Sequence, residues 1–104
     1  LLCFSDAFAA QALRAAEALG LRVPEDLSVV GFDDGPLATS LAPALTTVAQ
    51  DVTEKGRLAV AGLLQVMAAA RAADTPAGSA GASRTVMPTS LVVRGSTAPP
   101  PTDS

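Results

Sequence analysis

The chain has 104 residues, a formal net charge of −3 and a sequence pI near 4.6. Hydrophobic residues make up 49% of it but aromatic residues only 3%, so the core that it can bury is modest. Its seven Lys and Arg residues are scattered and form no basic stripe for nucleic acid. The absence of histidine and the single cysteine exclude a Ser-His-Asp or Cys-His catalytic unit and the common zinc sites.

The first residues, LLCF, have the composition of a buried strand. Ser5 and Asp6 follow, and either side chain can cap a helix that the spacing predicts over Ala7–Leu19. Gly20 suits the position just beyond the helix end. The predicted buried face of this helix consists of Phe8, Ala12, Ala15 and Leu19.

The stretch LSVVGFDD, at residues 27–34, is the strongest pattern in the chain. Its apolar, β-branched first part predicts a strand buried on both faces, as in a parallel sheet. Asp33 and Asp34 end the strand, and Gly35 and Pro36 turn the chain. Strand, helix and strand in this order form a βαβ unit. Asp6 and Asp33 then lie at one edge of the sheet, where ligands bind in open α/β folds.

Shorter signals follow this unit. Residues 37–41 predict a helical turn, residues 45–48 a β-prone segment and residues 90–94 (SLVVR) a last strand. Asp51 and Glu54 resemble a capping box that opens a second long helix. Its predicted apolar face consists of Val52, Gly56, Ala59, Val60, Leu63 and Met67. The composition of residues 72–83 predicts a flexible loop, and that of residues 98–104 a disordered tail.

Three interpretations of Asp33 and Asp34 are open at this point. They can shape the turn, since Asp before Gly is ordinary turn chemistry. They can form a phosphoacceptor or magnesium site, but Lys55, the only lysine, lies within the predicted helix. They can also be binding carboxylates that accept charge-assisted hydrogen bonds from a polyol or a ring N–H. No metal site and no cofactor is predicted, because phosphate-binding glycine loops are absent too.

Several segments in the same order resemble the C-terminal part of LacI/GalR-type transcriptional regulators. They are CFSD, ALGLRVPEDLSVVGFDD, PALTTVAQD and SLVVRGST, and they extend from Cys3 to about Thr97. The resemblance implies an α/β class and a partial type I periplasmic-binding-protein-like fold, a parallel sheet flanked by helices with pieces of both lobes. Residues 1–48 are then a second-lobe βαβ segment. Residues 49–97 cross the hinge and complete the first lobe with a helix and a strand.

The resemblance also implies the residues of an effector site. Asp33 follows the strand at the position where the family contacts its effector, commonly through sugar hydroxyls. Ser5 and Asp6 border the same pocket, although Ser5 replaces a common asparagine. Gln50 completes the implied site at the hinge crossing, and Val52 stands where some members carry a pocket aromatic.

The predicted function is the effector-sensing part of a LacI-type regulator, with a sugar or a similar small polar molecule as its effector. The implied protein is a cytoplasmic homodimer with no membrane segment, and its contacts lie on the helix over residues 7–19 and around residues 36–41. Operator DNA would bind only through a helix-turn-helix that this chain lacks. Because the chain begins with Leu1, we expect a fragment. The alternative is a periplasmic sugar-binding protein of a transport system. A carboxylate-dependent enzyme is more distant, and no catalytic residue is predicted.

Overall fold

The computed structural model describes residues 1–74 and 84–102. Its elements in chain order are α1 (Asp6–Ala18), β1 (Val30–Asp33), α2 (Pro36–Ser40), β2 (Thr46–Ala49), α3 (Val52–Ala72) and β3 (Ser90–Val92). The chain divides into two compact units. The first unit contains Leu1–Gln50 and Thr89–Ser104, and the second contains Asp51–Pro88.

A three-stranded sheet in the order β1-β2-β3 forms the base of the first unit. β1 and β2 are parallel, with Asp33 opposite Ala49. Leu2 makes an isolated parallel bridge to Val30, so the N-terminal segment lines the outer edge of β1. The predicted α/β class with helices beside a parallel sheet is therefore confirmed. The sheet is mixed, however, because β3 runs antiparallel to β2.

Helix α1 forms at the predicted place. The Ser5 hydroxyl accepts a hydrogen bond from the Phe8 amide at 3.1 Å and caps the first turn. At the other end Gly20 has a φ of 73°, the left-handed conformation that glycine adopts most easily.

The predicted buried face of α1 is wrong except at Ala12, which packs against the core. Ala9, Ala10 and Ala16 are buried, whereas Phe8 and Leu19 are exposed. The Phe8 ring instead contacts the exposed Phe4 ring, with centroids 5.0 Å apart. The small alanine side chains let α1 approach the sheet closely, which larger side chains on that face would prevent.

The core of the first unit lies between α1, α2 and the sheet. Five buried residues form it: Cys3, Ala9, Val29, Ala38 and Leu45. Five half-buried residues pack around them: Ala12, Leu13, Val23, Leu27 and Leu41. Burial also raises the pKa of the Cys3 thiol, which makes it a poor nucleophile and fits its role as a small core residue.

β1 is shorter and less buried than its sequence predicts. Burial alternates along the chain here: Val29 and Gly31 are buried, while Val30 and Phe32 are half-buried. The expected burial on both faces is therefore wrong, because the α1 side of the strand is covered more fully than the other side.

The last strand and the segment after it belong to the first unit. The family resemblance implies that SLVVR completes the first lobe together with the helix after Asp51; in the structure β3 pairs with β2, with Ala49 opposite Ser90. The predicted tail begins with Ala98, whose amide donates to the Ser28 hydroxyl at 3.1 Å. Ala98 is thus attached to the first unit, while Asp103 and Ser104 lie outside the described residues.

The second unit contains the 21-residue helix α3. The Asp51 carboxylate accepts the Glu54 amide at 2.9 Å, as the predicted capping box requires. Ala70 is buried, but Val52, Val60 and Leu63 of the predicted apolar face are more than half exposed. Most of the loop predicted over residues 72–83 lies outside the described residues.

Among the residues that the structure describes, no helix combines the length and the hydrophobicity that crossing a membrane requires.

Candidate functional site

Polar side chains converge where the parallel strands β1 and β2 end. Asp33 is the last residue of β1, and Gln50 follows directly after β2. The Gln50 Nε2 amide donates a hydrogen bond of 2.7 Å to Asp33 Oδ1, in a half-buried position. Asp33, predicted at the carboxyl end of its strand, and Gln50, predicted at the hinge crossing, are thus in direct contact at the carboxyl edge of the sheet, the usual binding edge of such folds.

The backbone at this edge adopts a conformation that side chains disfavour. Asp33 has a φ of 121° and Asp34 a φ of 59°. Residues other than glycine rarely adopt a positive φ. Two consecutive residues with a positive φ are stable only where contacts with the surrounding structure hold them. Such backbone strain is typical of ligand-binding and switch regions. Asp33, Asp34 and Gly35 are called the acidic turn below.

Asp6 holds the acidic turn from the side of α1. Its Oδ2 accepts the Gly35 amide at 2.9 Å, and its Oδ1 accepts the Thr47 hydroxyl at 2.7 Å. The side chain is buried, with only 5% of the residue exposed. Asp6 thus joins the helix start, β2 and the acidic turn in one network. Both of its oxygens are already engaged within the protein.

Arg94 holds the acidic turn from the side of the last strand. Its Nη2 forms an ion pair with Asp34 Oδ1 at 2.7 Å, and both side chains are largely buried. Its Nη1 donates to the Leu45 carbonyl at 2.9 Å, and its backbone amide donates to the Thr46 hydroxyl at 2.9 Å. The guanidinium therefore connects Asp34 to the start of β2.

Ser5 lies beside this network and has a different partner. Its hydroxyl accepts the Phe8 amide, so it acts as the N-cap of α1. Of the predicted site residues, the structure brings Asp33 and Gln50 into contact and links Asp6 to Asp33's turn through Gly35. It gives Ser5 a capping contact.

Three contributors to the site were missed by the sequence reasoning: Thr47, Gly31 and Arg94. Thr47 is fully buried, although threonine is usually exposed in proteins. Because Thr46 is an identical residue next to it, the sequence does not show which of the two threonines faces Asp6. Arg94 had a weak signal, as a charged residue that ends an apolar strand. Only their contacts with residues distant in the chain show that they support the acidic turn.

Within residues 1–74 and 84–102, no group of three or more His, Cys, Asp or Glu side chains is placed to hold a metal ion. The carboxylates at the edge instead accept hydrogen bonds from an amide, a hydroxyl and a guanidinium. The same donors and acceptors suit a neutral polyhydroxyl ligand.

Comparison with known proteins shows the family of this chain. Residues 1–97 match the family model of the periplasmic binding protein-like domain. The chain belongs to this family. The MalR transcriptional regulator of Streptomyces coelicolor is 48% identical over 100 residues, which cover 96% of this chain and 27% of MalR.

Solved structures place this periplasmic binding protein-like chain among LacI-type regulators. The dimeric lac repressor with a C-terminal deletion has a TM-score of 0.74 and 37% identity, covering 95% of this chain and 33% of its own. A LacI family regulator from Arthrobacter sp. FB24, in complex with lactose, has a TM-score of 0.67 and 40% identity. That match covers 93% of this chain and 34% of the Arthrobacter chain. These relatives show that this chain belongs to the LacI-type regulators within the family. The chain spans about a third or less of their length.

Proposed function

We propose that this chain is the effector-binding part of a LacI-type transcriptional regulator and that Asp33 and Gln50 contact a sugar effector. The observation that carries the proposal is the 2.7 Å contact between these two side chains at the carboxyl edge of the sheet. An ionised carboxylate accepts hydrogen bonds from sugar hydroxyls, and the amide both donates and accepts.

Binding in this scheme exchanges one hydrogen bond for others. The sugar hydroxyls would take over Asp33 Oδ1, which Gln50 occupies in the structure. Gln50 is the last residue of its segment of the first unit, directly before Asp51 opens the second.

Asp6 and Ser5 take indirect roles in this proposal. Both oxygens of Asp6 have partners inside the protein, so we assign Asp6 to positioning the acidic turn rather than to a direct contact. Ser5 positions α1 through its cap. This assignment differs from the one that the family resemblance implies, in which both border the effector directly.

The division into lobes is proposed along the same lines. The first unit, with residues 1–50 and the segment from Thr89 onward, would belong to the second lobe of the family fold. The second unit, Asp51–Pro88, would belong to the first lobe. The pairing of β3 with β2 supports grouping the last strand with the second lobe, whereas the family resemblance groups it with the first.

Dimerisation through the first unit is part of the proposal. Phe8, Leu19 and Leu37 leave apolar surface exposed on α1 and α2. A groove of about 470 Å³ lies on the same unit and has a mixed lining, with apolar residues such as Leu13 and Leu41 and the charged residues Arg14, Glu17, Arg22 and Glu25. The apolar surface of α1 and α2 suits a second copy of the protein, in agreement with the dimeric lac repressor among its relatives.

Operator DNA would contact a helix-turn-helix of the whole protein in the cytoplasm, since this acidic chain offers no basic surface.

The regulator is favoured over a periplasmic sugar-binding protein and over an enzyme by its relatives, which are transcriptional regulators. The test is calorimetric titration of the intact protein with a panel of mono- and disaccharides that includes lactose. Asp33→Asn should weaken the binding of the responsive sugar by roughly ten- to 150-fold, because it removes a charge-assisted hydrogen bond of about 1.5–3 kcal/mol.

Asp26→Asn is the matched control for this test. It makes the same chemical change at an exposed carboxylate that pairs with Arg22, and it should leave the affinity within about twofold. Binding of no sugar in the panel, or an equal loss in both variants, would contradict the proposal.

A further inference from the structure

We infer that Arg94 is a positioning residue of the effector site: through Asp34 it holds the acidic turn in the conformation that presents the Asp33 carboxylate. The inference rests on the proposed function. It adds a residue from the last segment of the chain, 61 positions after Asp33, to a site otherwise built from residues 6–50.

The guanidinium of Arg94 starts from a rigid base. The Arg94 amide donates to Thr46 Oγ1 at 2.9 Å, and Thr46 is 2% exposed. The Thr46 hydroxyl is also within 2.8 Å of the Thr97 hydroxyl. With Nη1 on the Leu45 carbonyl at 2.9 Å, the side chain is fixed at both ends before it reaches Asp34. Little conformational entropy remains to be lost in forming the ion pair.

The ion pair differs from the other pairs of the described residues in its burial. The side chains of Arg94 and Asp34 are 19% and 27% exposed, against 71% and 32% for Arg22 and Asp26. Solvent and salt screen a partly buried pair less than a surface pair. The Arg94–Asp34 contact can therefore hold a backbone conformation, whereas an exposed pair contributes little.

The backbone that it holds is the strained one. Asp34 has a φ of 59° and Asp33 a φ of 121°. Without supporting contacts, residues that carry a side chain relax from such values to a negative φ. Release of Asp34 would let the peptide between the two aspartates rotate. That rotation would carry the Asp33 carboxylate away from Gln50 Nε2 and from the proposed effector position.

Arg94 also sets the charge of the site. Asp33 and Asp34 are adjacent carboxylates, and Arg94 compensates only Asp34. Asp33 instead accepts a hydrogen bond from the neutral Gln50 amide. This arrangement suits a neutral polyhydroxyl effector better than an anionic one.

The experiment combines a double-mutant cycle with local amide exchange in the intact protein. The variants are Arg94→Gln, Asp34→Asn, their double mutant and Arg94→Lys. Sugar affinity is measured by calorimetry with the panel that includes lactose. Exchange of the Gly35 amide, which donates to Asp6, is followed by NMR and compared with that of the Cys3 amide, which donates to the Val30 carbonyl.

We expect Arg94→Gln and Asp34→Asn each to weaken sugar binding by roughly tenfold, and the double mutant to weaken it no further, as for two residues acting through one contact. Gly35 exchange should rise about tenfold or more while Cys3 exchange stays constant. Arg94→Lys keeps the charge and should recover part of the affinity. The matched control, Arg22→Gln, breaks an exposed pair and should change neither quantity.

Unchanged Gly35 exchange in both Arg94→Gln and Asp34→Asn would overturn the inference, whether or not a sugar binds. Additive losses of affinity, or equal rises of exchange at Gly35 and Cys3, would also overturn it, because they indicate a general loss of stability. Failure of the unmodified protein to bind any sugar would contradict the proposed function alone. Asp34→Asn leaves the hydrogen bonds of Arg94 to Thr46 and Leu45 in place. It therefore provides the test if Arg94→Gln does not fold.

Discussion

Gly31 and Asp6 are in close contact, and the missing side chain of Gly31 is what makes room for the carboxylate. A Cβ atom at residue 31 would overlap Asp6 Oδ1 and lie 2.7 Å from Leu45 Cδ2. β1 therefore passes directly beneath the first turn of α1. This close approach is what brings the Asp6 carboxylate within reach of both Thr47 and Gly35.

Gly31→Ala should destabilise the protein by about 1–3 kcal/mol, because the added methyl group must displace buried atoms. Urea denaturation of the intact protein measures the change in unfolding free energy. The control is Gly56→Ala in α3, where a Cβ meets nothing within 4 Å. That variant should gain up to about 1 kcal/mol, since alanine favours a helix over glycine. Equal effects of the two substitutions would show that the contact with Asp6 imposes no constraint.

Asp6→Asn should lower the free energy of unfolding by about 1–3 kcal/mol. The amide offers one acceptor oxygen, while Thr47 and Gly35 both donate to the carboxylate, so one buried donor loses its partner. Thr47→Val, which removes one of those donors, should cost less in the Asp6→Asn background than in the unmodified protein. Loss of sugar affinity in Asp6→Asn with no loss of stability would instead identify Asp6 as a direct effector contact.

Ser96→Ala should also destabilise the protein by about 1–3 kcal/mol, because it leaves two buried backbone groups without partners. Ser96 is fully buried, and its hydroxyl donates to the Val29 carbonyl at 2.6 Å and accepts the Thr46 amide at 2.8 Å. Ser40→Ala removes an exposed hydroxyl that bonds to the Leu37 carbonyl and should stay within about 0.5 kcal/mol. Thermal unfolding of both variants makes the comparison, and similar melting temperatures would refute the role of Ser96.

The Asp26 carboxyl should titrate far below its ordinary range. Hydrogen bonds from the Arg22 side chain and amide lower its pKa from 3.8 to about 2. A lowered pKa stabilises the folded state above the unfolded-state value of 3.8, and this contribution disappears as the pH falls through about 2. NMR titration of the Asp26 carboxyl gives the midpoint directly. In Arg22→Gln the midpoint should move back towards 3.8, and an unmoved midpoint would rule out the pairing.

The local elements of this protein could be predicted from its sequence because the signals that define them are local. The Ser5 cap, the left-handed Gly20, the short helix after Pro36 and the Asp51 cap all depend on residues within one helical turn. The βαβ order likewise predicted Asp33 at the carboxyl edge of the sheet. The segments resembling LacI-type regulators extended that local reading to the family.

Tertiary structure decided which of these residues act together. The buried face of α1 consists of alanines, because the helix lies too close to the sheet for larger side chains. The spacing of apolar residues in the sequence instead predicts a face that includes Phe8 and Leu19. The structure also shows that β3 pairs with β2 and runs antiparallel to it. No local sequence pattern specifies this partner or this direction. The acidic turn is held by Asp6, Gln50 and Arg94, which lie between 27 residues before the turn and 59 residues after it. Such contacts arise only when the chain has folded and brought distant segments within hydrogen-bonding distance.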